Sequence, residues 1–202
     1  DVRKMRFGYK DAGGKWHTPY TTLNAKGEEL LLIDEKTGRE KMFRKAALER
    51  RCLILSSEFY EWRHMYPLKK HTGQPLKTAN KYPYHIGLKD KEYFFIAAIW
   101  QNWTDKDTGE TIDTVALVTT EANSLMKQIH NSKNRMPTML PDELAWEWMM
   151  GDLSEERITE IATYQISAID MKAYTVEKEF KTTGTPGKAF VYQEVPELIY
   201  EV

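Results

Sequence analysis

Five short segments rich in β-branched and aromatic residues lie in the first 120 positions of this chain and dominate what it can fold into. They are residues 29–34, 51–56, 82–88, 93–100 and 111–119. Turn-forming residues separate them, and no helix-length pattern alternates regularly with them. Lys89-Asp90-Lys91 predicts a hairpin between the third and fourth, and the Thr-Gly pair within residues 105–110 predicts another turn. Helical spacing appears elsewhere. Met42, Phe43, Ala46, Ala47 and Arg50 form one stripe, and Ala122, Leu125, Met126 and Ile129 form a second within residues 121–130. Pro141-Asp142-Glu143 opens a third helix, where acids suit the positive end of the helix dipole. Ser154 is placed to cap a fourth. Strands packed with a few helices, without strict β–α alternation, predict an α+β fold with a largely antiparallel sheet.

A length of 202 residues suits one domain spanning 1–202, with the polar stretches 69–81 and 182–188 as exposed loops. Hydrophobic residues at 41% against 29% charged argue for a packed core rather than disorder. The longest apolar run, residues 93–100, is strand-sized, so no membrane span is expected. A single cysteine excludes an internal disulfide framework. With no charged-then-apolar leader at residues 1–5, a cytoplasmic location is expected. The absence of an initiator Met leads us to expect a natural protein that extends upstream of Asp1 or has been processed. Net charge is −1, so any nucleic-acid contact must be local rather than a global basic stripe. His17, His64, His71 and His85 lack metal-ligand spacing, and one cysteine supports no zinc cluster.

The densest motif is Arg51-Cys52-Leu53-Ile54-Leu55-Ser56-Ser57-Glu58-Phe59-Tyr60-Glu61-Trp62. Downstream come Thr119-Thr120-Glu121-Ala122-Asn123, then His130 followed by Arg135-Met136-Pro137. Upstream are Arg6-Phe7-Gly8 and Leu23-Asn24-Ala25-Lys26-Gly27-Glu28. In this order the segments resemble the SOS response-associated peptidase family, over roughly residues 5–170. Leu55 stands where that family usually has Pro, Glu58 where it has Gly, and Lys26 where it has Arg. Three extra residues separate His130 from Arg135. The family's reactive cysteine follows its initiator Met, and Asp1 begins after that region.

The resemblance implies a barrel-like antiparallel core with flanking helices. It also implies a DNA-damage enzyme that traps abasic sites in single-stranded DNA, with an associated autoproteolytic or peptidase activity. In that chemistry the amine of an N-terminal cysteine condenses with the lesion's aldehyde, and the thiol closes a thiazolidine ring. The α-amino group suits this because its pKa, near 8, leaves part of it neutral. No metal or cofactor is called for, and the expected partner is abasic single-stranded DNA bound by a monomer. Cys52 cannot substitute, because its nitrogen is a peptide amide and its apolar setting reads as a small buried hydrophobe. The chain alone is expected to be inert in crosslinking.

Carried over residue by residue, Glu61 and His130 are the implied proton-transfer groups, and Asn24 hydrogen-bonds near the reacting centre. Lys26 and Arg135 contact phosphates, and Trp62 stacks on a base beside positive charge. Each has a plainer alternative in the residues themselves. Glu61 is also readable as a surface carboxylate paired with Arg63, His130 as a helix-dipole partner, Asn24 as a turn residue and Trp62 as core. Lys26 and Arg135 are also readable as solvated charges. The competing functional reading is a non-covalent single-stranded DNA binding module that has lost the nucleophile. A plain protease is a third, for which no internal Ser-His-Asp or Cys-His arrangement is recognisable.

Overall fold

The run from Phe94 to Ile99 builds the wall between two hydrophobic cores. In this computed structural model, which describes residues 2–19 and 22–200, alternate side chains of the run point opposite ways. Phe94 and Ile96 enter one core, while Ala97 and Ile99 enter the other. Burial of both faces explains why the run reads as continuously apolar rather than alternating.

The strands in chain order are β1 (Tyr9–Lys10), β2 (Trp16–His17), β3 (Asn24–Lys26), β4 (Arg51–Ser56), β5 (Phe59–Met65) and β6 (Asn80–Leu88). They continue with β7 (Phe94–Thr104), β8 (Thr111–Glu121), β9 (Arg135–Pro137), β10 (Met139–Leu140) and β11 (Met171–Thr175). The helices are α1 (Val2–Phe7), α2 (Arg44–Glu49), α3 (Ser124–Ile129), α4 (Asp142–Met150) and α5 (Glu155–Ala162). The larger sheet joins β4, β7, β8, β9 and β10 antiparallel, with β3 added parallel to β8. It curls because β9 and β10, joined through Thr138, stitch β8 to β7. The Ala97 N–H donates to the Thr138 carbonyl at 2.9 Å, and the Thr138 N–H to that of Val118 at 2.9 Å. A smaller antiparallel sheet, ordered β11-β6-β5, stands beside it, with β5 at the edge. The fold is therefore α+β and mostly antiparallel, as the sequence predicts.

The two cores lie either side of β7. One gathers Tyr82, Tyr84, Ile86, Leu125, Met126 and Ile129 between the smaller sheet and α3. The other gathers Ala46, Trp148, Ile158 and Ile161 beneath α2, α4 and α5. The fully buried Trp148 donates its indole N–H to the carbonyls of Cys52 and Ala98, each at 3.1 Å, so its polar atom is satisfied. Arg51 ties two helix ends together. Its guanidinium donates to the Ala47 and Leu48 carbonyls of α2 and to the Trp148 and Gly151 carbonyls at the end of α4, at 2.6–3.0 Å.

Several expectations need correction. Residues 29–34 do not form a strand. Gly27–Glu29 is a 3-10 turn, and among the described residues the ladder contact that follows is the isolated bridge Ile33 to Glu40. Gly27 backs so closely onto α5 that an added Cβ would lie 2.3 Å from the Ala162 carbonyl oxygen. That approach tightens the chain and buries Leu30 alone, leaving Leu32 and Ile33 exposed. Nor does the turn at residues 89–91 make a hairpin, because β6 and β7 belong to different sheets. Asp90, at φ 56°, redirects the chain, and the Lys89 N–H goes to Asp170 rather than across a hairpin. The helix expected over 121–130 begins at Ser124, because β8 continues through Glu121 and Asn123 provides the cap. The turn at 105–110 does join β7 to β8, with the Asp105 N–H bonded to the Glu110 carbonyl at 2.8 Å. Ser154 caps α5, accepting from the Arg157 N–H at 3.2 Å. The stretch 182–188 is largely exposed loop, as is 69–79, while Asn80 already belongs to β6.

Candidate functional site

β5 carries the centre of the densest motif, and strand geometry decides what each of its residues can reach. Successive side chains alternate faces. Phe59 and Met65 pack into the core beside α3, so Glu61 and Arg63 share that inner face. Tyr60, Trp62 and His64 point outward. Glu61 and Trp62, neighbours in sequence, therefore serve opposite sides of the sheet. On the outer side Tyr60 stacks on Phe180 with centroids 4.4 Å apart, and the Lys181 ammonium sits 5.1 Å over the Trp62 ring.

His130 arrives on the inner side from α3. The Asn123 side chain accepts from the Met126 N–H at 2.9 Å, and the buried Leu125, Met126 and Ile129 fix the rotation of the helix. The His130 N–H then closes on the Met126 carbonyl at 2.7 Å. Its Nδ1 lies 2.8 Å from the Arg135 carbonyl oxygen and 3.8 Å from Glu61 Oε1. A carbonyl only accepts, so Nδ1 carries the proton and the neutral ring keeps Nε2 as its basic atom. Glu61 is largely screened from solvent, with 28% of its side chain exposed against 15% for His130. Burial pushes the Glu61 carboxyl above the ordinary carboxylate value, and the nearby His130, the Trp62 amide and Lys133 offset this only in part. The result is a carboxyl inclined to hold a proton next to an imidazole of defined tautomer.

Arg135 supports this pair through its backbone and is itself locked by its side chain. The guanidinium bonds both oxygens of Glu28, at 3.0 and 2.8 Å, and donates to the Thr119 carbonyl at 2.6 Å. Glu28 also accepts from the Glu121 N–H at 3.2 Å, so one carboxylate joins the 3-10 turn, β8 and β9. Asn24 opens β3 on the larger sheet and is exposed, and among the described residues it makes no hydrogen bond with Glu61 or His130. Lys26, two residues on and on the same face, is exposed and paired with Glu29 at 2.7 Å. The structure thus brings Glu61, His130 and the Arg135 backbone together. It sets Asn24 and Lys26 on β3, ties the Arg135 guanidinium to Glu28, and turns Trp62 to the outer face. The Arg6 side chain lies outside the described residues.

Reading the sequence missed Glu28 as Arg135's partner, since the two are 107 positions apart. It also missed Asn131, whose side chain bonds the β5 backbone at His64. Cys52 is half-buried in β4, and burial pushes its thiol up, away from the reactive thiolate. Among the described residues no cluster of three or more His, Cys, Asp or Glu side chains offers a metal site. No helix there is long and apolar enough to cross a membrane.

Comparison with known proteins shows the family and the fold. The model of the SOS response associated peptidase (SRAP) family matches residues 1–183. The chain is 31% identical over 157 residues to the abasic site processing protein YoqW of Bacillus subtilis, covering 78% of this chain and 60% of that protein. It is 29% identical over 121 residues to the abasic site processing protein HMCES of Xenopus tropicalis, covering 56% of this chain and 35% of that protein. Among solved structures, a protein from Bacteroides thetaiotaomicron superimposes with a TM-score of 0.66 at 33% identity, covering 83% of this chain and 63% of the other. A phage-related protein from Bordetella bronchiseptica, at 23% identity and a TM-score of 0.55, shares the fold.

Proposed function

Because the chain belongs to the SOS response associated peptidase family, we propose that it is the proton-transfer portion of a protein that captures abasic sites in single-stranded DNA covalently. It spans about 60% of the length of YoqW, so the reading concerns the longer protein. The capturing group is an N-terminal cysteine supplied outside this chain. Its amine adds to the aldehyde carbon of the opened sugar, and loss of one water gives an imine. The thiol sulfur then bonds to the imine carbon, and its proton passes to the ring nitrogen, closing a thiazolidine.

Glu61 and His130 divide the proton transfers. Before ring opening the sugar is a hemiacetal, and His130 Nε2 takes the proton from its hydroxyl and returns one to the departing ring oxygen. Glu61 accepts a proton from the terminal ammonium and delivers one to the hydroxyl that leaves as water. A carboxyl raised above its usual value by burial holds a proton more firmly than an exposed one, which suits it to take a proton and then return it. Asn24 hydrogen-bonds near the lesion, Lys26 and Arg135 steer phosphates, and Trp62 stacks a base from the outer face. Lys26 serves as a point charge, and Arg135 contacts phosphate only by sharing a guanidinium already bound to Glu28. The autoproteolytic or peptidase activity belongs to the same centre, where an amine, a thiol and two proton carriers meet. The DNA runs across a domain that spans residues 1–202.

The observation that carries this reading is the 3.8 Å approach of His130 Nδ1 to a half-buried Glu61, with the imidazole tautomer set by the Arg135 carbonyl. Its test compares crosslinking rates of wild type, Glu61→Gln and His130→Ala, each with a verified N-terminal cysteine, on an oligonucleotide with one abasic site. Each substitution is expected to slow the reaction about 10²-fold or more, as loss of a general acid–base does. Wild-type rates in both variants would remove the assignment. Lesion-independent binding without any adduct would favour a non-covalent binding module.

A further inference from the structure

His130 reaches Glu61 because the residues after it double back against β5. The Lys133 and Asn134 N–H groups both donate to the His130 carbonyl, at 3.2 and 2.8 Å. Asn134 takes a left-handed conformation, φ 53°, which asparagine tolerates better than most residues. Its carbonyl then accepts from Ala122 at 3.0 Å, returning the chain to β9. This is the segment that lengthens the spacing between His130 and Arg135.

Within the turn the Asn131 side chain faces the edge of β5. Its Oδ1 accepts from the His64 N–H at 2.9 Å, and its Nδ2 donates to the His64 carbonyl at 2.8 Å. β6 lies on the other side of β5, so the Asn131 amide does for His64 what a neighbouring strand would do, giving and taking one hydrogen bond. Two bonds from one planar amide fix its direction as well as its distance. Asn131 is joined covalently to His130, and His64 lies three positions along the same strand from Glu61. The clamp therefore sets the gap between the two proposed proton carriers. Among the described residues Glu61 and His130 approach at 3.8 Å without a hydrogen bond of their own, and the packing of α3 on Phe59 and Met65 sets no direction for the turn after His130. The bond from Nδ1 to Arg135 orients the ring but does not hold the strand to it.

We infer that Asn131 is a positioning residue, whose side-chain amide clamps the β5 edge and so holds the His130 imidazole against Glu61. The inference rests on the reading of Glu61 and His130 as the proton-transfer pair, and it adds a residue that neither touches the lesion nor titrates. The charged and titratable groups around His130 are Glu61 and His64 from β5 and Lys133 from the turn, with Lys81 of β6 acting on His64.

The test reads coupling and chemistry separately. The first measurement uses the 202-residue chain. NMR follows the His130 ring resonances at one fixed pH with Glu61 intact and with Glu61→Gln, in wild-type and Asn131→Ala backgrounds. In wild type, Glu61→Gln moves the His130 ring resonances, because the Glu61 carboxyl lies 3.8 Å from Nδ1. In Asn131→Ala that movement shrinks by about half or more. Asn131→Asp keeps an acceptor for the His64 N–H but loses the donor, and it gives an intermediate coupling. It also serves if the alanine variant folds poorly. Full coupling in both variants overturns the inference.

The second measurement is the crosslinking rate of the longer protein with its N-terminal cysteine. Asn131→Ala slows it about 10- to 100-fold, the scale expected when reacting groups are misplaced by about 1 Å. Affinity for undamaged single strands stays within about twofold. A wild-type rate and pH profile in Asn131→Ala overturns the clamp while leaving the proposed function standing. Wild-type protein that never crosslinks, yet shows the Asn131-dependent coupling, refutes the function and leaves the clamp intact.

Discussion

Arg51 opens the densest motif in the sequence, yet the structure spends its charge on the fold. The guanidinium donates to four backbone carbonyls, those of Ala47, Leu48, Trp148 and Gly151, where α2 and α4 end. Carbonyls at helix ends lack intrahelical partners and carry the negative end of the helix dipole, so a cation between two such ends answers both needs. Hydrogen bonds involving a charged group are worth about 1.5–3 kcal/mol each when well buried. Arg51 is only partly buried, and burial lowers its own pKa by disfavouring the charge. Discounting each bond for exposure, and allowing rim carbonyls to find water, puts Arg51→Met at about 3 kcal/mol of lost stability. Arg51→Lys should recover less than half of that, because one ammonium cannot span two helix ends as a planar fork does. Urea unfolding followed by tryptophan fluorescence measures this directly, since Trp148 sits at the joint. A loss below about 1 kcal/mol for Arg51→Met, with an unchanged denaturant slope, would refute the argument.

Other consequences follow from the site. Glu61 should make stability fall as pH rises. Its folded carboxyl lies above the ordinary value of 4.5, so between that value and the folded one the native state holds more protons than the unfolded state. Glu61→Gln removes that loss, and its urea midpoint should change less than wild type's as pH rises from 4.5 through the folded carboxyl's titration. A steeper change in the variant would contradict the sign. Glu28→Ala releases the Arg135 guanidinium, so affinity for single-stranded DNA should rise and its salt dependence steepen by about one phosphate contact. Fluorescence anisotropy across a salt series would register the change, and weaker binding would mean Arg135 works only where Glu28 holds it.

Much of the fold was legible because single residues forced it. The apolar run in β7, the Ser154 cap and the Asp105 turn each follow from local chemistry that tertiary packing reinforced. The strand expected at residues 29–34 failed because β-branched and aliphatic character says only that a segment suits a sheet, not that a partner edge exists. Gly27, pressed against the Ala162 carbonyl, turned the chain before one could be reached. The hairpin at Lys89 failed for a related reason, since a turn residue such as Asp90 marks a change of direction without saying which strand is met next. At the site, the motif flagged Glu61 and His130, but recognising β5 as a strand was needed to see that Glu61 and Trp62 face opposite ways. Glu28 with Arg135, and Asn131 with His64, are pairings across long stretches of chain, and no local pattern announces them.

The most direct measurement of the central claim takes the longer protein, with its N-terminal cysteine verified by mass. It is mixed with two single-stranded oligonucleotides, one bearing an abasic site and one a tetrahydrofuran analogue that cannot open to an aldehyde. On a denaturing gel, an adduct with the abasic strand alone is expected. Its peptide map should place the DNA on the terminal cysteine, and the 202-residue chain beginning at Asp1 should give none. Equal adducts with both strands, an adduct formed by the chain without the cysteine, or none with any protein would contradict the account.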